Sequence, residues 1–104
     1  NFDCHMVKHI VLFKLKEMDS PVVKMEIMKN FKSGLESLKS KISVLRYIEV
    51  GINENPEESF DISLITEFDS MDDMKAYAVH PEHIAVTQII KDVKESRSCV
   101  DYTF

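Results

Sequence analysis

Two histidines and a tyrosine lie within seven positions of one another, in the segment Tyr77-Ala-Val-His80-Pro81-Glu-His83. Pro81 is favoured at the first position of a helix, so we expect His83 to be the third residue of that helix. The positive end of a helix dipole disfavours an imidazolium ion, and His83 should therefore stay neutral and able to accept a proton. Tyr77 can donate a hydrogen bond to a carbonyl or a developing enolate. The pair predicts proton abstraction next to a carbonyl group, with His83 as general base and Tyr77 as its partner.

The same segment also fits a purely structural turn. His80 can cap the helix that Pro81 opens, while His83 bonds to a neighbouring strand. A metal site formed by His80 and His83 is disfavoured because Pro81 breaks the helix between them, and no third ligand stands out. We therefore assign His80 and Pro81 to a structural turn, and we expect no metal and no other cofactor.

Composition restricts the classes of function. The chain has 104 residues, which predicts one domain, and its formal net charge of −5 lacks the basic footprint of a nucleic-acid-binding protein. Neither a polybasic cluster nor an apolar run of roughly 18 residues indicates a membrane partner. Cys4 and Cys99 are too few for a disulfide framework and lack metal-ligand spacing, which indicates a reducing, cytoplasmic setting. We interpret Cys99 as an ordinary strand cysteine and Asp101 as a structural partner.

The first five residues show no pattern, and His5-Met6 is the dipeptide that a common cloning site encodes. We expect Met6 to be the native start and residues 1–5 to derive from cloning. The single domain is then expected to span residues 6–104.

The hydropathy pattern predicts four strands and two helical regions. Strands are expected at Val7–Leu15, Ser43–Val50, Phe60–Phe68 and Glu95–Phe104, with a helix from Pro21 to about Lys39 and a second helical region, capped by Ser70, that breaks at His80-Pro81. The resulting order β-α-β-β-α-β is that of the ferredoxin-like α+β fold, in which helices cover one face of a four-stranded antiparallel sheet.

Alternation along the strands separates two apolar faces. His9, Val11 and Phe13 share one face of the first strand, and Ile62 and Leu64 share one face of the third. We expect these five residues to line a cavity for a small apolar or aromatic molecule. For His9, a structural role with a partner in the core is an equal alternative.

The second face of the sheet is too apolar to be left in water. Either it packs on a second copy of the chain, or it lines a cavity, or both. A second copy is our first inference, because a twofold interface uses the same surface twice. We therefore predict a homodimer that joins through the sheet face.

Several motifs together resemble the stress-responsive dimeric α/β-barrel (Dabb) family. They are Val7-Lys-His9-Ile-Val-Leu-Phe-Lys, Glu49-Val-Gly51, Phe60-Asp61 with Thr66-Glu67-Phe68, the turn from Tyr77 to His83, and Val100-Asp101-Tyr102. The His-Pro-x-His turn is the most specific of them. The resemblance covers nearly the whole chain after Met6 and implies two ferredoxin-like protomers whose sheets join into one barrel.

The resemblance also implies roles for individual residues. The chain is similar around the turn to a plant member of the family, olivetolic acid cyclase, whose catalytic tyrosine and histidine fall on Tyr77 and His83. A pocket histidine of that cyclase falls on His9. The third strand differs, because aliphatic Ile62 stands where the cyclase has a polar pocket residue, which implies a different substrate.

Three functions follow as hypotheses. The first is a non-catalytic protein that binds a small apolar or aromatic ligand. The second is a cofactor-free cyclase or isomerase in which His83 is the base and Tyr77 its partner. The third, a cofactor-free monooxygenase, rests on fold analogy alone.

Overall fold

A computed structural model describes residues 5–104, so the expectations for Cys4 and its neighbours at positions 1–4 lie outside the described residues. The elements are β1 Val7–Leu15, α1 Pro21–Ser37, β2 Tyr47–Ile52, β3 Ile62–Phe68, α2 Met71–Ala78, α3 Pro81–Thr87 and β4 Lys94–Thr103. Short 3₁₀ turns, Leu38–Ser40 and Gln88–Ile90, follow α1 and α3. The predicted order is confirmed.

The four strands form one antiparallel sheet in the order β2-β3-β1-β4. The register places His9 opposite Thr66 on β3 and opposite Asp101 on β4. Val11 lies opposite Leu64 on β3 and opposite Cys99 on β4. Because side chains alternate along a strand, all these residues share the face of the sheet that the helices cover. The architecture is the ferredoxin-like fold.

The core lies between this face and the helices. Alternate residues of β1 and β3 are buried against α1, whose apolar stripe consists of Met28, Phe31 and Leu35. Phe13 and Phe31 meet edge to face, with ring centroids 5.1 Å apart. Burial of each large apolar side chain contributes about 1.5–3 kcal/mol, so this layer is the main source of stability.

Three side chains fix where the helices begin. The Ser20 hydroxyl accepts the Val23 N–H, and the Ser70 hydroxyl accepts the Asp73 N–H. His80 Nδ1 accepts the Glu82 N–H at 3.1 Å. This third cap ends the continuity between α2 and α3, so the second helical region turns sharply at His80-Pro81.

The second strand differs from its expected span. It begins at Tyr47 instead of Ser43 and continues to Ile52, past the expected end at Val50. The residues before it follow the tight turn at the end of α1, where the Ile42 N–H bonds to the Leu38 carbonyl. Leu45 is buried there without being part of a strand. The apolar pattern of the sequence therefore predicted a start of β2 that is too early.

The sheet surface away from the helices, here called the open face, carries apolar side chains from all four strands. Its members are Ile10 and Leu12 of β1, Tyr47 of β2, Ile65 of β3, and Val100 and Tyr102 of β4. Val100 keeps 54% of its surface exposed and Tyr102 keeps 43%. None of the helices within residues 5–104 has the length and apolar content needed to span a bilayer.

Candidate active site

A cavity of about 290 Å³ lies between the sheet and the junction of α2 and α3. Its walls come from His9, Val11, Phe13, Leu64, Met74, Tyr77, Ala78, His83, Arg97, Cys99 and Asp101. The structure thus brings together six of the predicted site residues, from β1, β3 and the helical turn. Apolar side chains form the part nearest the core, and ionisable groups surround the rest.

His83 is held with one ring nitrogen occupied. Its Nδ1 lies 3.0 Å from the carbonyl oxygen of Ala78, and a carbonyl can only accept, so Nδ1 carries the proton. The lone pair of a neutral His83 is therefore on Nε2. Burial lowers the pKa of His83 below its ordinary value, against the opposing effect of the Ala78 carbonyl. The ring is consequently neutral near pH 7, in the form that accepts a proton.

Tyr77 is buried beside it. The side chain is 1% exposed, and within residues 5–104 its hydroxyl has no hydrogen-bond partner. Burial raises the pKa of Tyr77 far above its ordinary value, so the phenol keeps its proton and acts as a donor. Phe68 packs on the same ring at a centroid distance of 5.1 Å. A buried hydroxyl without a hydrogen-bond partner is rare in folded proteins.

His9 has a carboxylate partner, which answers the question that the sequence left open. Its Nδ1 contacts Oδ1 of Asp101 directly across the β1–β4 pair. The Thr66 hydroxyl donates to the His9 backbone carbonyl at 3.3 Å. His9 is thus both a paired histidine and a residue of the cavity wall.

Sequence reasoning did not assign Arg97, Cys99 and Asp101 to the cavity. The three alternate along β4 and so share one face, but only the pairing of β4 with β1 sets them opposite Phe13, Val11 and His9. Burial raises the pKa of the Cys99 thiol, and the neighbouring Asp101 carboxylate raises it further. The alternation was visible in the sequence, whereas the register was not.

Ile62 does not join the other predicted ligand-binding residues. It is buried at 2% exposure and borders a separate cleft, formed with Leu12, Gly51 and Phe60 at the other end of the sheet. The expectation that it lines the same cavity as His9 is therefore wrong. Ile62 is the first residue of β3, two positions before Leu64, and it is not among the residues that line the cavity.

His80 and Pro81 also lie outside the cavity wall. Their observed positions are the N-cap and the first residue of α3. This geometry fits the structural turn that the sequence indicated.

The profile of the Stress responsive A/B Barrel Domain family matches residues 7–104. The chain belongs to this family. An Arabidopsis thaliana relative, the stress-response A/B barrel domain-containing protein DABB1, is 30% identical over 100 residues, which are 93% of this chain and 46% of the relative. The chain thus spans about half the length of that relative.

Solved structures of A/B barrel proteins and their fold neighbours agree with the architecture. A Bacteroides fragilis protein, described as dimeric, ferredoxin-like and of unknown function, is 55% identical with a TM-score of 0.92, covering 95% of this chain and 96% of the other. A hydroxynitrile lyase from Passiflora edulis has a TM-score of 0.77 at 15% identity, covering 95% and 93%. At that identity the similarity to the lyase shows the shared fold alone.

Proposed function

We propose that this A/B barrel domain binds a small aromatic molecule bearing a carbonyl group in the cavity between its sheet and helices. The observation that carries the proposal is the combination of an apolar wall with a buried Tyr77 hydroxyl that has no hydrogen-bond partner in the described part of the chain. The volume of about 290 Å³ is at the lower end of the range for small-molecule sites, which favours one ring with short substituents. A carbonyl oxygen on the ligand would accept the bond that Tyr77 lacks.

Calorimetry with para-hydroxyacetophenone, a small aromatic ketone, tests this proposal. Ala78→Phe places a ring in the cavity wall and should weaken binding at least about tenfold, or about 1.4 kcal/mol. Ala76→Phe is the matched control, because Ala76 is an exposed alanine of the same helix that does not line the cavity. No binding to the unmodified protein, or equal losses in the two variants, would contradict the assigned location.

A second candidate is catalysis, and the geometry of His83 favours it. Its Nδ1 is fixed by the Ala78 carbonyl, so Nε2 is free to remove a proton next to the carbonyl of a bound ketone. Tyr77 would then donate to the enolate oxygen that forms. The removed proton resides on His83 Nε2 until it returns to a carbon, as in an isomerisation, or passes to the alkoxide oxygen that an aldol-type cyclisation forms.

Proton exchange measures this step without knowledge of the natural substrate. In D₂O, the protein should catalyse deuterium incorporation into the methyl group of para-hydroxyacetophenone, and NMR follows the loss of signal. His83→Ala should slow exchange by about 10²–10⁴-fold, the usual contribution of a general base. His80→Asn keeps an N-cap side chain and should leave the rate unchanged. A full rate in His83→Ala would exclude this role while leaving ligand binding intact.

We also infer that the domain works as a homodimer joined through the open face. Support comes from the exposed apolar side chains of that face, including Val100 and Tyr102, and from the Bacteroides fragilis protein described as dimeric. A cytoplasmic location stays a prediction from the cysteine content.

A further inference from the structure

Three side chains of different chemistry meet where β1 pairs with β4. His9, Cys99 and Asp101 each offer one ligand atom, and these atoms lie within 4.8 Å of one another. The Sγ atom of Cys99 is 3.4 Å from Nδ1 of His9 and 3.7 Å from Oδ1 of Asp101. The cluster thus combines a nitrogen, a sulfur and an oxygen ligand in one corner of the cavity.

These separations match the edges of a tetrahedral metal site. Zinc bonds of about 2.0–2.3 Å at tetrahedral angles place neighbouring ligand atoms about 3.3–3.6 Å apart. Both distances from Cys99 therefore need little change. His9 and Asp101 are in direct hydrogen-bond contact and must separate somewhat, with the ion replacing the proton between them.

We propose that His9, Cys99 and Asp101 form a binding site for a divalent cation of the zinc type. Imidazole, thiolate and carboxylate are the ligand groups that zinc accepts, and the thiolate disfavours magnesium and calcium. Three protein ligands leave a fourth position for water or a bound molecule, as in catalytic zinc sites. These three side chains would hold the ion without the proposed ketone, which would occupy the same cavity.

The buried Tyr77 hydroxyl is a second observation that points to an occupant of this region. It lines the same cavity as the three ligands and lacks an acceptor within residues 5–104. An oxygen atom in the fourth position on the ion would be an acceptor of the kind that this hydroxyl needs. Without the Tyr77 hydroxyl nearby, the three ligand groups alone would be a weaker indication of a bound ion.

Charge balance predicts what completes the site. A divalent ion is neutralised by the Cys99 thiolate and the Asp101 carboxylate, while Arg97 in the same cavity adds one positive charge. The balance therefore favours an anion, such as hydroxide or a carboxylate, in the fourth position. On binding, the thiol releases one proton to solvent, and neutral His9 carries its proton on Nε2 while Nδ1 holds the ion.

Cobalt(II) titration of the full chain, first freed of metal with a chelator, tests the proposal. We expect a thiolate-to-cobalt charge-transfer band that saturates at one ion per protomer and disappears when zinc displaces cobalt. Cys99→Ser should abolish the band, and Asp101→Asn should weaken cobalt binding at least tenfold. Arg97→Gln should bind cobalt more tightly.

Cys4→Ser is the control, because it removes the other thiol of the chain and should retain the band. Alkylation of Cys99 in this control protein provides a second route to the same loss, should Cys99→Ser fold poorly. Absence of the band at saturating cobalt, or its persistence after Cys99 is replaced or alkylated, would overturn the site. Ketone binding measured by calorimetry would be unaffected by that negative result.

Discussion

The ring of His83 lies against the ring of Tyr77, with centroids 4.4 Å apart and planes tilted by 42°. The proline-opened start of α3 sets this contact, because it carries His83 back over the end of α2. A proton acceptor and a proton donor therefore share one wall of the cavity. Their protonation states follow from burial, which keeps His83 neutral and Tyr77 protonated.

Removal of the Tyr77 hydroxyl should stabilise the free protein. The hydroxyl is buried without a partner in the described residues, and an unsatisfied buried polar group costs about 1–3 kcal/mol. Tyr77→Phe keeps the ring contacts with Phe68 and His83, so its free energy of unfolding in urea should be equal or higher by up to that amount. The same substitution should weaken binding of para-hydroxyacetophenone.

Tyr102→Phe is the matched control for this measurement, because Tyr102 is exposed on the open face. Its stability should change little when the protein is a monomer at low concentration. A loss of 1 kcal/mol or more in Tyr77→Phe alone would show that an ordered partner already satisfies the hydroxyl.

The lowered pKa of His83 predicts a pH dependence of stability. The folded protein takes up this proton at a lower pH than the unfolded chain, whose histidine titrates near the ordinary 6.5. Between the two values the unfolded state holds more protons, so the free energy of unfolding falls as the pH drops through that window. In His83→Gln this part of the decrease in the free energy of unfolding should be absent. Urea unfolding between about pH 7.5 and about pH 5.5 measures it.

NMR titration checks the assignment directly. The His83 ring signals should shift with a midpoint below 6.5. A midpoint above 6.5 would mean that the charged ring is favoured in the fold, and the general-base role would lose its support.

A charge on the open face should separate the proposed dimer. Val100 is about half exposed in the protomer, so burial of the exposed part contributes about half of the 1.5–3 kcal/mol of a whole side chain in each copy. Val100→Arg should therefore weaken dimerisation by at least about tenfold, as measured by analytical ultracentrifugation. Val79→Arg changes an exposed valine at the end of α2, away from this face, and should remain dimeric. Dissociation of both variants, or of neither, would argue against the open face as the interface.

The close approach of α1 and α3 at Gly34 predicts an energetic coupling. A Cβ at Gly34 would lie 3.1 Å from Cγ1 of Val86 and 3.3 Å from Cδ1 of Ile89. Alanine in a helix gains about 1 kcal/mol over glycine, but here the crowding offsets that gain. Gly34→Ala should thus be near neutral alone and stabilising by about 1 kcal/mol in a Val86→Ala background. Additive free energies of unfolding in the double-mutant cycle would show that the gap tolerates a methyl group.

Local patterns predicted the elements well where one physical signal was strong. The helix start at Pro21, the N-cap at Ser70 and the break before Pro81 were predicted helix limits that the structure confirms. The start of β2 was predicted too early because Leu45 is apolar and buried although it precedes the strand. An apolar residue alone does not distinguish a buried turn from a strand.

Strand alternation assigned His9, Val11, Phe13 and Leu64 to the cavity wall, but specific pairs were predictable only where the residues are close in the chain. Tyr77 and His83 are six positions apart, and the proline between them indicates their geometry. His9 and Asp101 are far apart in the chain and meet only through the strand register. The sequence therefore allowed an interpretation of each residue but did not predict their contact. Ile62 was assigned to the cavity because alternation gives the face of a strand but not the position along it.

The first and last strands of the domain are neighbours, and the backbone of Met6 exchanges two hydrogen bonds with that of Phe104. During synthesis β1 leaves the ribosome first, and β4 follows all the other strands. Until β4 arrives, the outer side of Val7–Leu15 is an unpaired sheet edge with apolar side chains on both surfaces. A stalled or prematurely terminated chain would therefore be prone to aggregation through this strand. It would also lack Cys99, Asp101 and the cavity wall that they form.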